Sequence, residues 1–457
     1  VVVGAVCIGL STRADLLPAA PSQTSSPPRL ATPLWSARRI PGVLVTAVTL
    51  SNLQQHVARI VAPYESCAAV DGPNGTLTRF NSIRPLAGAS TQKLLTAATA
   101  LAVLGAPYRF DTRATTAARL EHGTLEGDLS IVGGGDPVLS TSTAPSTPAA
   151  PNTPLAALAD AIVHAGVHRV DGALVADDSR YDRARAVADW KPNYVPEGDV
   201  GALGALIVNG GRADNGIAST DPALDTVQRL ALLLKARGVT IVGGASDPGR
   251  SSPPHERDVA DVASPPLVQI VEQMLTVSND ETAELLTREV GRVRAGVGTT
   301  AAGTLEIPAV LAALGVPVQG VVLHDGSGLA PDDRITCASL LGVVSLATLE
   351  RFSPITQGLP VAGQSGTLAG RLVGTPLAGR LRAKTGHIDG VVGLAGFVDA
   401  ATPAGHPSAD GQLIRFAFLA NGNFSTATGA TLQDQIAETI GDYLDAPSPV
   451  DLVPAPR

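Results

Sequence analysis

Lysine is scarce in this 457-residue chain: of its 33 lysines and arginines only Lys93, Lys191, Lys235 and Lys384 are lysines. No Lys/Arg cluster exceeds a pair or so, and the net charge is -8 with a pI ≈ 5.5, which argues against nucleic-acid binding. Aromatics make up 3% of the residues and leave few platforms for stacking bases or extended sugars. The 3 cysteines show no metal-ligand spacing, the 8 histidines are scattered, and there is no His-Glu-x-x-His, so no metal site is expected. Cys7 lies in the leading apolar run. That leaves Cys67 and Cys337 either as a disulfide or as two buried thiols.

The length suits about two or three domains with ample room for a core. Val1 to Leu10 is continuously apolar and Leu17 to Pro41 is rich in Pro, Ser and Ala, so residues 1–41 read as a signal or anchor remnant followed by a tether. A hairpin is expected from Cys67–Val70 and Thr76–Phe80 around Asp71-Gly72-Pro73-Asn74-Gly75. Residues 113–262 read as a β-rich insertion. It holds strands at Asp128–Val132, Gly172–Ala176 and Leu206–Val208, and helices at Leu155–Ala165 and Leu224–Arg237. Its Gly133-Gly134-Gly135-Asp136-Pro137 is a tight turn and not a phosphate loop, because no Gly-Lys-Ser/Thr follows and Pro137 breaks a helix. Residues 42–112 and 263–446 flank the insertion as two parts of one further domain, and 447–457 is a Pro-rich tail.

The scarce lysines fall in telling places. Thr91 to Leu104 contains no Pro or Gly and reads as a helix, with Ser90 at its N-terminus and Lys93 one turn on. Residues at i and i+3 face the same way, so the Ser90 hydroxyl and the Lys93 amine can meet. A serine becomes a nucleophile when a base takes its proton, and an amine serves only when neutral. Taken singly, the motif equally describes a capped helix with a surface lysine. Ser264 reads as the N-cap of a helix whose Leu267, Ile270, Val271, Met274 and Leu275 form one buried face, leading to Ser278-Asn279-Asp280. Ser278 can relay a proton or simply cap a helix. Near the C-terminus, Lys384-Thr385-Gly386-His387 precedes a strand at Val391–Val398, itself paired with Gln412–Ala420 and covered by a helix through Leu432, Ile436, Ile440 and Leu444. Lys384 and Gly386 share one side of a strand, where a cation could hold a carboxylate and Gly386 would admit a substrate backbone.

Ser-x-x-Lys, a Ser-x-Asn-like triplet and Lys-Thr-Gly in that order resemble the penicillin-binding proteins. Within them the chain is similar to the class C low-molecular-mass members, the D-alanyl-D-alanine carboxypeptidase/endopeptidase family. Asp325-Gly326-Ser327-Gly328-Leu329, Gly366-Thr367-Leu368 and the long insertion between Lys93 and Ser278 agree with this. The resemblance implies an α+β transpeptidase-like domain, with a five-stranded antiparallel sheet flanked by helices and interrupted by the insertion. It also implies a D,D-carboxypeptidase working on peptidoglycan stem peptides in the cell envelope, trapped by β-lactams, without metal or organic cofactor. Membrane attachment is expected only through the N-terminal segment. Ser90 would be the nucleophile, Lys93 its base, Ser278 the proton relay and Lys384 the carboxylate attractor. The N–H groups of Ser90 and His387 would form the oxyanion hole, and Asp280, Thr385, Gly386 and His387 would line the substrate.

Two positions depart from the family's pattern. Asp280 stands where an amide is expected and could pair with Lys93 and keep it charged, unless it faces solvent and Asn279 turns inward instead. His387 stands where Thr or Ser is preferred. A related Ser/Lys hydrolase (β-lactamase or esterase) and a weakly active wall-binding protein are the alternative readings.

Overall fold

The computed structural model describes residues 40–142, 150–249, 251–252, 256–399 and 413–444. The apolar run at Val1–Leu10, residues 17–39 of the expected tether and the C-terminal tail lie outside them, whereas Ile40 and Pro41 belong to the first helix. Of the segment before Thr49, only the beginning of the first helix is described.

The chain begins with helix α1 (Ile40–Val61) and the hairpin β1 (Glu65–Gly72) and β2 (Gly75–Phe80), then passes through a 3₁₀ turn at Ala89–Gln92 into α2 (Lys93–Val103). The next strands are β3 (Asp111–Thr116) and β4 (Leu129–Val132), followed by α3 (Leu155–His164), β5 (Leu174–Asp177), α4 (Pro222–Ala236), β6 (Ala245–Ser246) and β7 (Arg257–Ala263). Helices α5 (Leu267–Val277), α6 (Asp280–Ala295), α7 (Thr300–Ala313), α8 (Cys337–Leu346) and α9 (Ser353–Gly358) come next. The chain closes with β8 (Leu381–Ile388), β9 (Val391–Asp399), β10 (Leu413–Asn421) and α10 (Thr426–Leu444).

The central sheet runs β8-β9-β10-β1-β2 and is antiparallel throughout. Side chains alternate faces along a strand, and here both faces are buried. Cys67, Ala69, Ala395, Phe397, Ala417 and Leu419 point to the core shared with α2, α5, α6 and α8. Their neighbours Ala68, Val70, Leu394, Phe416, Phe418 and Ala420 point to α1 and α10 through Leu53, Val57, Leu432 and Ile436. This is why the strands read as almost continuous apolar runs. Leu267, Ile270, Val271, Met274 and Leu275 of α5 are all buried, as their spacing predicts.

A second sheet has the order β6-β5-β4-β3-β7, with β5 parallel to both β4 and β6 and the other pairs antiparallel. It packs with α3 and α4 around Leu129, Ile131, Leu158, Ile162, Val227 and Leu230. Its outer pair joins Asp111 to Ala263, so the chain leaves the central domain and returns to it side by side. Two local expectations fail. Leu206–Val208 is not a strand, because these residues pack as buried irregular chain that ends in a 3₁₀ turn at Asn209–Gly211. Ser264 does not cap α5, since its Oγ accepts the Phe110 N–H and donates to the Pro265 carbonyl, leaving Pro266 at the cap position.

Cys67 and Cys337 are bonded, with both residues fully buried. The bridge fastens strand β1 of the central sheet to the start of α8 across a sequence separation of 270. Closing so long a loop restricts the unfolded chain more than the folded one. Replacing both cysteines by alanine should therefore lower the unfolding free energy in urea by about 2–5 kcal/mol, and an unchanged midpoint would contradict a stabilising role.

Candidate active site

The Ser90 helix start, the α5–α6 junction and strand β8 meet at one place. Ala89 has φ 45, a left-handed conformation rare for residues other than glycine, and it turns the chain so that Ser90 is half-buried at the mouth of α2. Gly328 (φ +88) backs this turn closely, for a β-carbon there would lie 2.1 Å from the Ala89 carbonyl oxygen. One turn on, Lys93 is completely buried. Its Nζ is 2.8 Å from Ser90 Oγ, 2.6 Å from Asp280 Oδ1 and 2.9 Å from the Ser327 carbonyl oxygen.

Helix α5 ends because Ser278 adopts φ 62, ψ 41, which reverses the chain into α6. The triplet then divides its work. Ser278 offers its hydroxyl to the site, Asn279 caps α6 by accepting the Thr282 N–H at 2.6 Å, and Asp280 reaches inward to Lys93. The solvent-facing alternative for Asp280 therefore does not describe this molecule.

Strand β8 supplies the third part. Lys384 is completely buried, not a solvated edge lysine, and its Nζ donates to Ser278 Oγ and to the Thr385 carbonyl, both at 2.8 Å. Burial above all, and then the charge of Lys93, hold the Lys384 amine well below the usual lysine range, while Asp280 acts in the opposite sense. Gly386 lies against the Ser90 turn, where a β-carbon would come within 2.6 Å of the Gly88 carbonyl oxygen. Thr385 is half-buried and its Oγ1 is 2.7 Å from Thr367 Oγ1. The His387 ring lies beside α10, 3.3 Å from where a β-carbon on Gly429 would be, and its burial lowers its pKa.

Sequence reasoning missed the floor of the site. The Asp325–Gly328 turn presents the Ser327 carbonyl to Lys93, and it is held by a fully buried network. Gln92 Nε2 donates to Asp325 Oδ1 and Asp333 Oδ2, Trp190 Nε1 donates to Asp325 Oδ2, and Glu284 accepts the Gly326 and Ser327 N–H groups. Burial and the neighbouring Asp325 charge push Asp333 up to about 10, so this pair holds a proton at neutral pH. The glycine-rich turn was visible in the sequence, but nothing there linked it to Trp190 or Gln92.

Comparison with known proteins bears on this geometry. The D-alanyl-D-alanine carboxypeptidase of Actinomadura sp. (strain R39) is 31% identical over 440 residues, covering 79% of this chain and 78% of that protein. The crystal structure of penicillin binding protein 4 (dacB) from Haemophilus influenzae superposes with a TM-score of 0.72 at 20% identity, covering 85% of this chain and 99% of that one. The same protein complexed with a novel beta-lactam gives a TM-score of 0.64 at 20% identity, covering 86% and 99%. The D-Ala-D-Ala carboxypeptidase 3 (S13) family matches residues 72–216 and 203–442. With the match running through all three motifs, the chain belongs to the D-Ala-D-Ala carboxypeptidase 3 (S13) family.

Proposed function

We propose that this serine peptidase removes the terminal D-alanine from peptidoglycan stem peptides through an acyl-enzyme on Ser90, and that penicillins trap it at the same atom. The observation that carries this reading is Ser90 Oγ at 2.8 Å from the amine of a completely buried Lys93, next to a second Ser–Lys pair, Ser278 and Lys384. Ser90 Oγ attacks the carbonyl between the two D-alanines while its proton passes to Lys93. The backbone N–H groups of Ser90 and His387 receive the oxyanion. The C–N bond breaks as Ser278 protonates the leaving amine, and the proton that Lys93 took from Ser90 returns to Ser278, whose Oγ is hydrogen-bonded to Lys384. Water then hydrolyses the ester. Thr385 and the Lys384 charge attract the terminal carboxylate. Residues 113–262 act as an inserted domain in this reading.

The reading extends to location. A buried disulfide persists in an oxidising compartment, which supports work outside the cytoplasm. Among the described residues no helix is long and apolar enough to cross a membrane.

Mass spectrometry after penicillin exposure tests the nucleophile. The adduct should map to Ser90 and vanish in a folded Ser90→Ala protein, whereas an adduct on Ser278 would end this assignment. The role of Lys384 has a pH signature. Its pKa is depressed, so the amine gains charge only as the pH falls through that lowered value, and affinity for a ligand with a free carboxylate should strengthen in the same direction. Titration should show the slope vanish in Lys384→Ala and with a C-terminally amidated ligand; a slope that survives both assigns it elsewhere. Asp280→Asn keeps an acceptor against Lys93 Nζ and removes the negative charge that favours an ammonium there. Stopped-flow acylation at neutral pH should be faster than in the wild type, and a slower variant would show that the carboxylate is needed.

A further inference from the structure

Helix α6 turns two carboxylates toward Lys93. Asp280 meets Nζ directly. Glu284 follows four residues later on the same face and reaches the amine through a single peptide unit. Its Oε1 accepts the N–H groups of Gly326 at 3.0 Å and Ser327 at 2.8 Å, and the carbonyl of that same Ser327 accepts from Lys93 Nζ at 2.9 Å. Thr96, on α2 one turn beyond Lys93, holds the turn from its other side by donating to the Gly326 carbonyl at 2.7 Å.

Glu284 is completely buried, and among the described residues its Oε2 has no hydrogen-bond partner. Keeping such a group inside a core is costly, which asks for a function beyond filling space. Burial first, and the Asp325 charge second, push its carboxyl up to about 8, so at neutral pH the side chain is held in its neutral form and acts through geometry.

That geometry bears on how Lys93 can be a base. A neutral amine has two N–H bonds and one lone pair. Asp280 Oδ1 and the Ser327 carbonyl fix the two N–H bonds, which leaves the lone pair directed at Ser90 Oγ. Shifting the Ser327 carbonyl turns the lone pair away from the hydroxyl.

We propose that Glu284 is a positioning residue for acylation, holding the Ser327 peptide so that Lys93 Nζ is oriented toward Ser90. This rests on the reading of Lys93 as the base for Ser90.

The test measures the acylation rate constant and the pre-acylation dissociation constant separately, with benzylpenicillin and the full chain. Glu284→Asp shortens the arm by one methylene and should slow acylation by about 10²-fold, the scale of a misplacement near 1 Å, with the dissociation constant unchanged. Glu284→Gln restores the length without the acid and should recover most of that loss. Thr96→Val, nearly isosteric, frees the same turn from the α2 side and should also slow acylation alone; it carries the test if the aspartate variant does not fold. Wild-type rates in the folded variants overturn the proposal. So does a loss matched by equally weaker binding, or a glutamine variant as slow as the aspartate. Lys93→Ala is run alongside. If it still acylates, the base reading itself fails; if it is silent while Glu284→Asp and Thr96→Val are unaffected, only the positioning role falls.

Discussion

Two fully buried lysine amines are the constraint on which this structure depends. Lys93 and Lys384 are both fully inaccessible, each hydrogen-bonded to a serine hydroxyl, with a single carboxylate, Asp280, paired to Lys93. In water each amine would be an ammonium. Enclosed with Lys93, Lys384 is held well below the usual lysine range, by its desolvation first and by the Lys93 charge second. Serine–lysine chemistry needs such an arrangement, since an amine that keeps its proton cannot take one from Ser90. An exposed lysine at either position would leave the hydroxyls as ordinary surface groups.

The fold supports this arrangement with strain and rigidity. Ala89 and Ser278 both sit in the left-handed region, which costs on the order of 1–3 kcal/mol for each non-glycine residue held there. They persist because their surroundings leave no alternative. Gly328 and Gly386 press against the Ser90 turn at distances that no side chain could share. The Leu86–Ile335 bridge ties the segment before Ser90 to the chain entering α8, and the disulfide fixes that helix to β1 two residues later. The insertion also contributes, because Trp190 reaches Asp325 and Arg212 pairs with Glu281 beside the site. It is therefore part of what holds the floor in place.

How much of this was legible in the sequence follows the range of the interactions. Ser90 and Lys93 are neighbours through helical periodicity, and Lys384 and Gly386 through strand periodicity, so local rules place both pairs. The buried stripe of α5 and the paired strands β9 and β10 are equally local, because burial imposes a period that residues reveal. Ser264 misled because the Phe110 N–H, far away in sequence, claims the oxygen that a local rule assigns to the α5 cap. Leu206–Val208 misled because apolar residues packed between layers look the same whether or not they join a ladder. The Gln92–Asp325–Trp190 network was out of reach, as three distant segments contribute one partner each.

The Ser278-Asn279-Asp280 triplet shows why register, more than composition, decides what such a motif can do. With Ser278 in the left-handed region, the next residue is the N-cap of α6, and its side chain is needed there, where a lost hydrogen bond costs about 1 kcal/mol. Asn279 is spent there on the Thr282 N–H. Turning its amide toward Lys93 would both uncap the helix and displace Asp280, so the amide at 279 cannot stand in for one at 280. Asp280 consequently exerts two effects of opposite sense. Its charge favours the ammonium form of Lys93, while its oxygen fixes one N–H and helps aim the lone pair at Ser90. A family amide at that position would supply the second effect without the first. Lys384, buried nearby, acts on Lys93 through charge while its own hydrogen bonds go to Ser278 and Thr385. The third motif therefore bears on the first even where it touches neither Ser90 nor Lys93.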